Sequence, residues 1–218
     1  MPGAIIIGAG PGIGLAVARR FAREGGPIGV IARSRATVDA AMSAMARAGV
    51  DGHGVTADAS NEPGLREALD ELMGRGGIPD ALVYNAAMIQ SDRLGQLSAS
   101  QHLDAWAVNV VGAMSAAAHV LPQMAEAGHG SYLITGGMPR PLPGVISLSL
   151  GKAGVRALAE LLHGQFKPYG IQVVTVTIAG PVAPGSAFDP DDIAERYWRL
   201  HSQPMPAWIP AFLYSGRP

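Results

Sequence analysis

The chain opens with AIIIGAGPGIGLAVARRF, residues 4 to 21, and no other stretch restricts the possible folds as much. A short β-branched run predicts a strand, and apolar residues at helical spacing from Ile13 predict a helix that stops at Gly25 and Gly26. Between them Gly8, Gly12 and Gly14 have the spacing G-x-x-x-G-x-G. Glycine lets the chain turn sharply off the strand, and backbone without a Cβ lets a pyrophosphate approach the N–H groups that begin the helix. The spacing differs from the G-x-G-x-x-G of the longer dinucleotide fingerprint, yet the physical need is the same. A glycine turn that only packs closely is the alternative reading; the strand before it and the helix after it favour the anion site.

The same alternation continues along the chain. Strands are predicted at PIGVIA, GHGVTAD, DALVYNAA, GSYLITGG and GIQVVTVTIAG, with helices over about 37–48, 62–75, 98–127 and 147–165. Apolar strands alternating with helices predict an α/β chain: one doubly wound parallel sheet of the Rossmann type, helices on both faces. At 218 residues the chain suits one such domain, 1–218. The proline-rich stretch 181–218, with its helical piece DPDDIAERYWRLH, reads as an edge element or a short C-terminal flap on the substrate side.

Composition removes several classes of function. A net charge of −1 with no basic run argues against nucleic acid as a partner. The absence of cysteine excludes disulfides and thiolate chemistry and fits a cytoplasmic protein. The N-terminus has no basic segment ahead of its apolar run, as a secretory signal would. The longest apolar stretch, AWAVNVVGAMSAAAHVL, carries Asn109 and His119 and falls short of a clean membrane span, so no membrane partner is expected. The six histidines have no ligand spacing, and no catalytic metal is expected.

The end of the second strand bears on which nucleotide would bind. An acidic residue there would hold the ribose hydroxyls of NAD. This chain instead has Arg33, Ser34 and Arg35. A guanidinium beside the ribose suits a 2′-phosphate through charge-assisted hydrogen bonds, so the expected cofactor is NADP(H).

Five motifs now stand in order: GAGPGIG at 8–14, Asp58 in TADAS, YNAA at 84–87, Asn109 in VNVVG and Lys152 in GKAG. Over about residues 4 to 182 the chain resembles the short-chain dehydrogenase/reductase family. The resemblance implies a cofactor site lined by Gly8, Gly12, Ile13, Gly14, Arg33, Ser34, Asp58, Ala59, Asn85, Ala86 and Lys152. Ala87 stands where a glycine is usual. IAGPV resembles the family's Pro-Gly motif, with Ala179 replacing the proline, and implies that Gly180 and Val182 flank the nicotinamide. It also implies a small-molecule substrate and a homodimer or homotetramer paired through the long helices.

The family's catalytic group is Asn, Ser, Tyr and Lys. Asn109 and Lys152 match it. Four residues before Lys152, at the tyrosine position, stands Leu148, and the serine position falls on Gly136. Ser149, Thr135, Tyr169, Tyr197 and Tyr214 are the protic residues considered as replacements. Three functions follow as alternatives: an NADP(H)-dependent oxidoreductase acting on a carbonyl, imine or activated alkene; a non-redox enzyme reusing the pocket; and a cofactor-binding protein without turnover.

Overall fold

Residues 3–217 are described by the computed structural model; the expected span 1–218 runs past them at both ends. Seven apolar segments form strands: β1 (Ala4–Ile7), β2 (Ile28–Ala32), β3 (Gly52–Thr56), β4 (Ala81–Tyr84), β5 (Gly130–Gly137), β6 (Ile171–Ile178) and β7 (Ala211–Tyr214). They pair in parallel in the order β3-β2-β1-β4-β5-β6-β7. The helices are α1 (Ile13–Ala22), α2 (Arg35–Arg47), α3 (Glu62–Gly76), α4 (Ala99–Trp106), α5 (Gly112–Ala127), α6 (Ile146–Phe166) and α7 (Pro190–Ser202). Strand neighbours alternate faces. Ile5, Ile7, Leu82, Tyr84, Tyr132 and Ile134 pack with α3, α5 and α6. Ile6, Val83, Leu133, Val174 and Val176 pack with α1 and α7.

The strand order reverses between β1 and β4. Parallel strands on either side of that point lead their connections to opposite faces, which leaves a crevice outside the carboxyl ends. The glycine turn after β1 opens into it.

Two sequence expectations need correction. The described residues form seven strands, not six, because the stretch after Pro181 supplies α7 and β7. Residues 181–189 form a loop at the carboxyl end of β6; the rest is edge element. The four-residue β7 escaped detection because AFLY lies among prolines and shows no alternation of its own; its pairing with Thr175–Ile178 is what orders it. The second correction concerns the apolar stretch around Asn109. The continuous helical segment 99–127 is long and apolar enough to cross a membrane, but 61% of its most apolar window is buried inside the fold. It is a core helix. A π turn at Ala107–Val111 interrupts it, with Asn109 in the middle.

Candidate active site

Glycine is required at two places in the turn for packing. Gly8 has a φ of +92°, and a Cβ there would lie 2.4 Å from the backbone nitrogen of Ala86. A Cβ on Gly14 would lie 2.3 Å from the carbonyl oxygen of Gly8. These contacts lock the start of α1 against β1 and β4. At Gly10 and Gly12 a Cβ would meet nothing within 4 Å, so the space above the helix start is open. No side chain caps α1 at Gly12, which leaves its first N–H groups to an outside acceptor.

Beside that opening lies a cavity of about 370 Å³. Its walls bring together Gly8, Arg33, Ser34, Asp58, Ala59, Asn85, Ala86 and Ala87 from the ends of four strands, as the sequence places them. Ser34 caps α2 by accepting from the Thr37 N–H at 3.2 Å, and its hydroxyl pairs with that of Thr37 at 2.8 Å. Asp58 accepts from the Ser60 N–H and hydroxyl through Oδ1 alone. Those bonds, with Arg33 nearby, hold its carboxyl below the usual carboxylate range and leave Oδ2 to accept from a ligand amine. Asn85 donates to the Gly8 carbonyl at 2.7 Å, which ties β4 to the turn. The residues therefore fit a dinucleotide: open N–H groups for a pyrophosphate, a cation with two hydroxyls for a phosphate, and a carboxylate for an amine.

Thr37, Ile89 and Val108 also line the cavity and were not foreseen. Thr37 had a signal, since Ser34 three residues earlier marks a helix start. Ile89 and Val108 arrive through chain packing and had none. Gly180 and Val182 stand outside these walls. The ring of Phe188 covers Gly180 so closely that a Cβ would be 2.2 Å from it, and Val182 is exposed.

The expected catalytic pair lies further along the carboxyl edge. Asn109 accepts from the Met88 N–H at 2.8 Å and donates to the Met88 carbonyl at 3.3 Å. Its Cβ side is so close to Gly151 that any side chain there would collide. The π turn thus fixes the loop after β4 against α6; such turns recur where a helix must present a side chain out of register. Lys152 is buried on α6, and its Nζ donates to the Thr135 carbonyl at 2.7 Å. Burial, then the charge of Arg156, lowers the Lys152 ammonium from 10.5 to about 8. Leu148, one turn earlier, is 8% exposed and belongs to neither packed core.

Gly136, on which sequence spacing puts the family serine, lies on the same face of β5 as Tyr132 and Ile134, the face that packs with α6. A Cβ on Gly137 would have Lys152 Cε as its nearest neighbour, at 3.8 Å. A Cβ on Gly136 would be 2.7 Å from Thr177 Oγ1, against β6.

The replacement acids are engaged or placed elsewhere. Thr135 donates to Asn85 Oδ1 at 2.8 Å and pairs with the Tyr197 hydroxyl at 2.7 Å. Tyr197, on α7, is fully buried, and burial pushes its hydroxyl above the usual tyrosine range. Ser149 bonds both backbone groups of Leu142. Tyr214 donates to Ala187. Tyr169 precedes β6 at the opposite end of the sheet. Ser131, at the amino end of β5, pairs with His201 Nδ1 at 2.7 Å. Among the described residues no three His, Asp or Glu side chains converge as a metal site.

The sequence profile of the family described as short chain dehydrogenase matches residues 3–187. The chain belongs to that family. Its relatives in the family include the short-chain reductase protein NovJ of Streptomyces niveus, 29% identical over 88% of this chain and 72% of that one. Another is the 1-cyclohexenylcarbonyl-CoA reductase of Streptomyces collinus, 29% identical over 92% of this chain and 69% of that one. Among solved structures, an alcohol dehydrogenase from the archaeon Thermococcus sibiricus, complexed with 5-hydroxy-NADP, superposes with a TM-score of 0.86. It is 25% identical, and the match covers 100% of this chain and 99% of that one. That match takes in the seventh strand of this chain.

Proposed function

We propose that this chain is an NADP(H)-dependent reductase of the short-chain type whose family tyrosine and serine are replaced by Leu148 and by glycine at the end of β5. The observation that carries the reading is the cavity itself, in which the glycine turn, Arg33, Ser34, Thr37, Asp58 and Asn85 converge. Bound there, NADPH supplies a hydride. The open N–H groups at Gly12 and beyond would hold the pyrophosphate, Arg33 with the Ser34 and Thr37 hydroxyls would hold the 2′-phosphate, and Asp58 Oδ2 would accept from the adenine amine. The NADP analogue in the Thermococcus sibiricus structure supports this choice.

A carbonyl reduction needs a proton at oxygen as hydride reaches carbon, and a positioned acid typically contributes about 10² to 10⁴ in rate. Leu148 has no proton to give. Substrates with a strongly polarised acceptor, such as an activated alkene, an iminium ion or a reactive carbonyl, depend least on that proton. The name of the Streptomyces collinus relative, a reductase of an unsaturated acyl thioester, supports the alkene within this set. The same Leu148 favours a second reading, a nucleotide-binding protein without turnover.

Two or four copies are proposed to meet through the long helices. Leu103, Trp106, Val111 and Met114 form an exposed apolar stripe on α4, the π turn and α5, beside Leu150 and Leu161 on α6. Trp106 packs on Gly154, which brings the two stripes together.

The deciding experiment titrates the protein's tryptophan fluorescence with NADPH and NADH, then follows nicotinamide absorbance with an enone, imine and carbonyl panel. Saturable binding with NADPH preferred at least about tenfold, and oxidation of NADPH by one class, is the expected result. Equal affinity for NADH sinks the NADP assignment. Binding without oxidation by any class moves the assignment to the second reading.

A further inference from the structure

We propose that Lys152 itself is the proton donor of this site, a role that rests on the reductase reading above. Three observations lead there. First, every hydroxyl near the site already has protein partners: Thr135 with Asn85 and Tyr197, Ser149 with Leu142, Tyr214 with Ala187. Second, Lys152 Nζ has three N–H groups and gives one, to the Thr135 carbonyl. Third, the nearest atom to a Cβ built on Gly137 is Lys152 Cε at 3.8 Å, so the end of β5 puts no side chain of its own against the lysine stem there.

The surroundings tune the group for this task. Buried, with the neutral Thr135 carbonyl as its hydrogen-bond partner, it has one charged group acting on it among the described residues, Arg156 on its own helix. Arg156 is held by the carbonyls of Gly137 and Met138 at 3.1 and 3.2 Å. Met138 is the one described non-glycine residue with a left-handed backbone, φ +52°. A strained residue clamped by a cation at the mouth of a site is where strain is usually kept for function. Burial and Arg156 together bring the ammonium down to about 8, so it is charged at neutral pH and yet acidic enough to give its proton up.

The step balances simply. A bound NADPH would supply the hydride to the electrophilic carbon and be left as NADP⁺, while the substrate oxygen gains an electron pair. An N–H bond of the Lys152 ammonium breaks, an O–H bond forms, and the neutral amine takes a proton back from water.

Lys152 and Lys167 are the only lysines in the chain, which makes the test direct. In the Lys167→Arg protein, reductive ¹³C-methylation leaves one lysine signal, and its NMR titration without cofactor reads the acidity of Lys152. A midpoint near 8 is expected. NADPH-dependent turnover of the same protein before methylation should fall above that pH. Lys152→Arg keeps the charge but cannot release a proton; it should lower kcat by about 10² or more and remove the alkaline limb. Its NADPH affinity should change only a few-fold. A lysine midpoint at the ordinary 10.5, or an arginine variant with unchanged kcat and pH profile, overturns the proton donor while leaving the reductase reading intact. Failure of the unmodified protein to bind NADPH overturns both.

Discussion

At the scale of single residues, the site depends on whether a position has room for a side chain. Gly14 has none, since the Gly8 carbonyl fills the place of its Cβ. Gly14→Ala should destabilise the fold by about 1–3 kcal/mol through overpacking, seen as a lower Tm in calorimetry. Arg33 is the opposite case: exposed, and engaged in no salt bridge among the described residues. Arg33→Ala should leave Tm unchanged and weaken NADPH binding by about tenfold or more, with NADH binding unaffected, because a hydrogen bond between charged groups is worth about 1.5–3 kcal/mol. Calorimetric titration of both nucleotides checks it.

At the scale of elements, one buried carboxylate joins two loops that face the substrate side. Asp92 is 1% exposed and accepts from both the Ser147 N–H and the Ser147 hydroxyl, at 3.0 and 2.9 Å. It caps the start of α6 from outside the helix, while its own N–H donates to the Gly144 carbonyl. Asp92→Ala orphans those donors, so a loss of about 2–3 kcal/mol is expected, with faster proteolysis within 88–97 and 138–145. Asp92→Asn should recover part of it. Equal proteolysis rates in all three proteins would show that the loops are held by other contacts.

The docking of α7 carries a pH dependence. His201 is largely buried beside Phe21 and Trp198, and burial lowers its imidazole from the ordinary 6.5, with Asp80 acting weakly the other way. The unfolded chain therefore binds the proton more readily. The stability this histidine contributes is complete above 6.5 and is lost as pH falls below that value toward the folded one. Denaturant midpoints should drop across that window in the native protein, and His201→Gln should flatten the fall. An equal slope in both proteins would assign the dependence to other groups.

At the scale of the whole molecule, the apolar stripes on α4, α5 and α6 decide the assembly. If they join copies, Met114→Glu with Leu161→Glu should convert a dimer or tetramer to monomer in light scattering. A wild-type monomer would assign the stripes to no such contact. Much of this molecule was legible in the chain alone. The alternation of apolar runs determined the doubly wound sheet, and the glycine spacing, Arg33, Asp58 and Asn85 marked the cavity, because periodicity and backbone freedom are local properties. The tertiary structure decided the rest. Only the β5–β6 register shows that Gly136 lies against Thr177 with no room for a side chain. Only packing engages each spare hydroxyl, buries Lys152 without a carboxylate, brings Asp92 under α6 and pairs AFLY as a seventh strand. Burial and partnership are set by residues distant in sequence, and no spacing rule within the chain contains them.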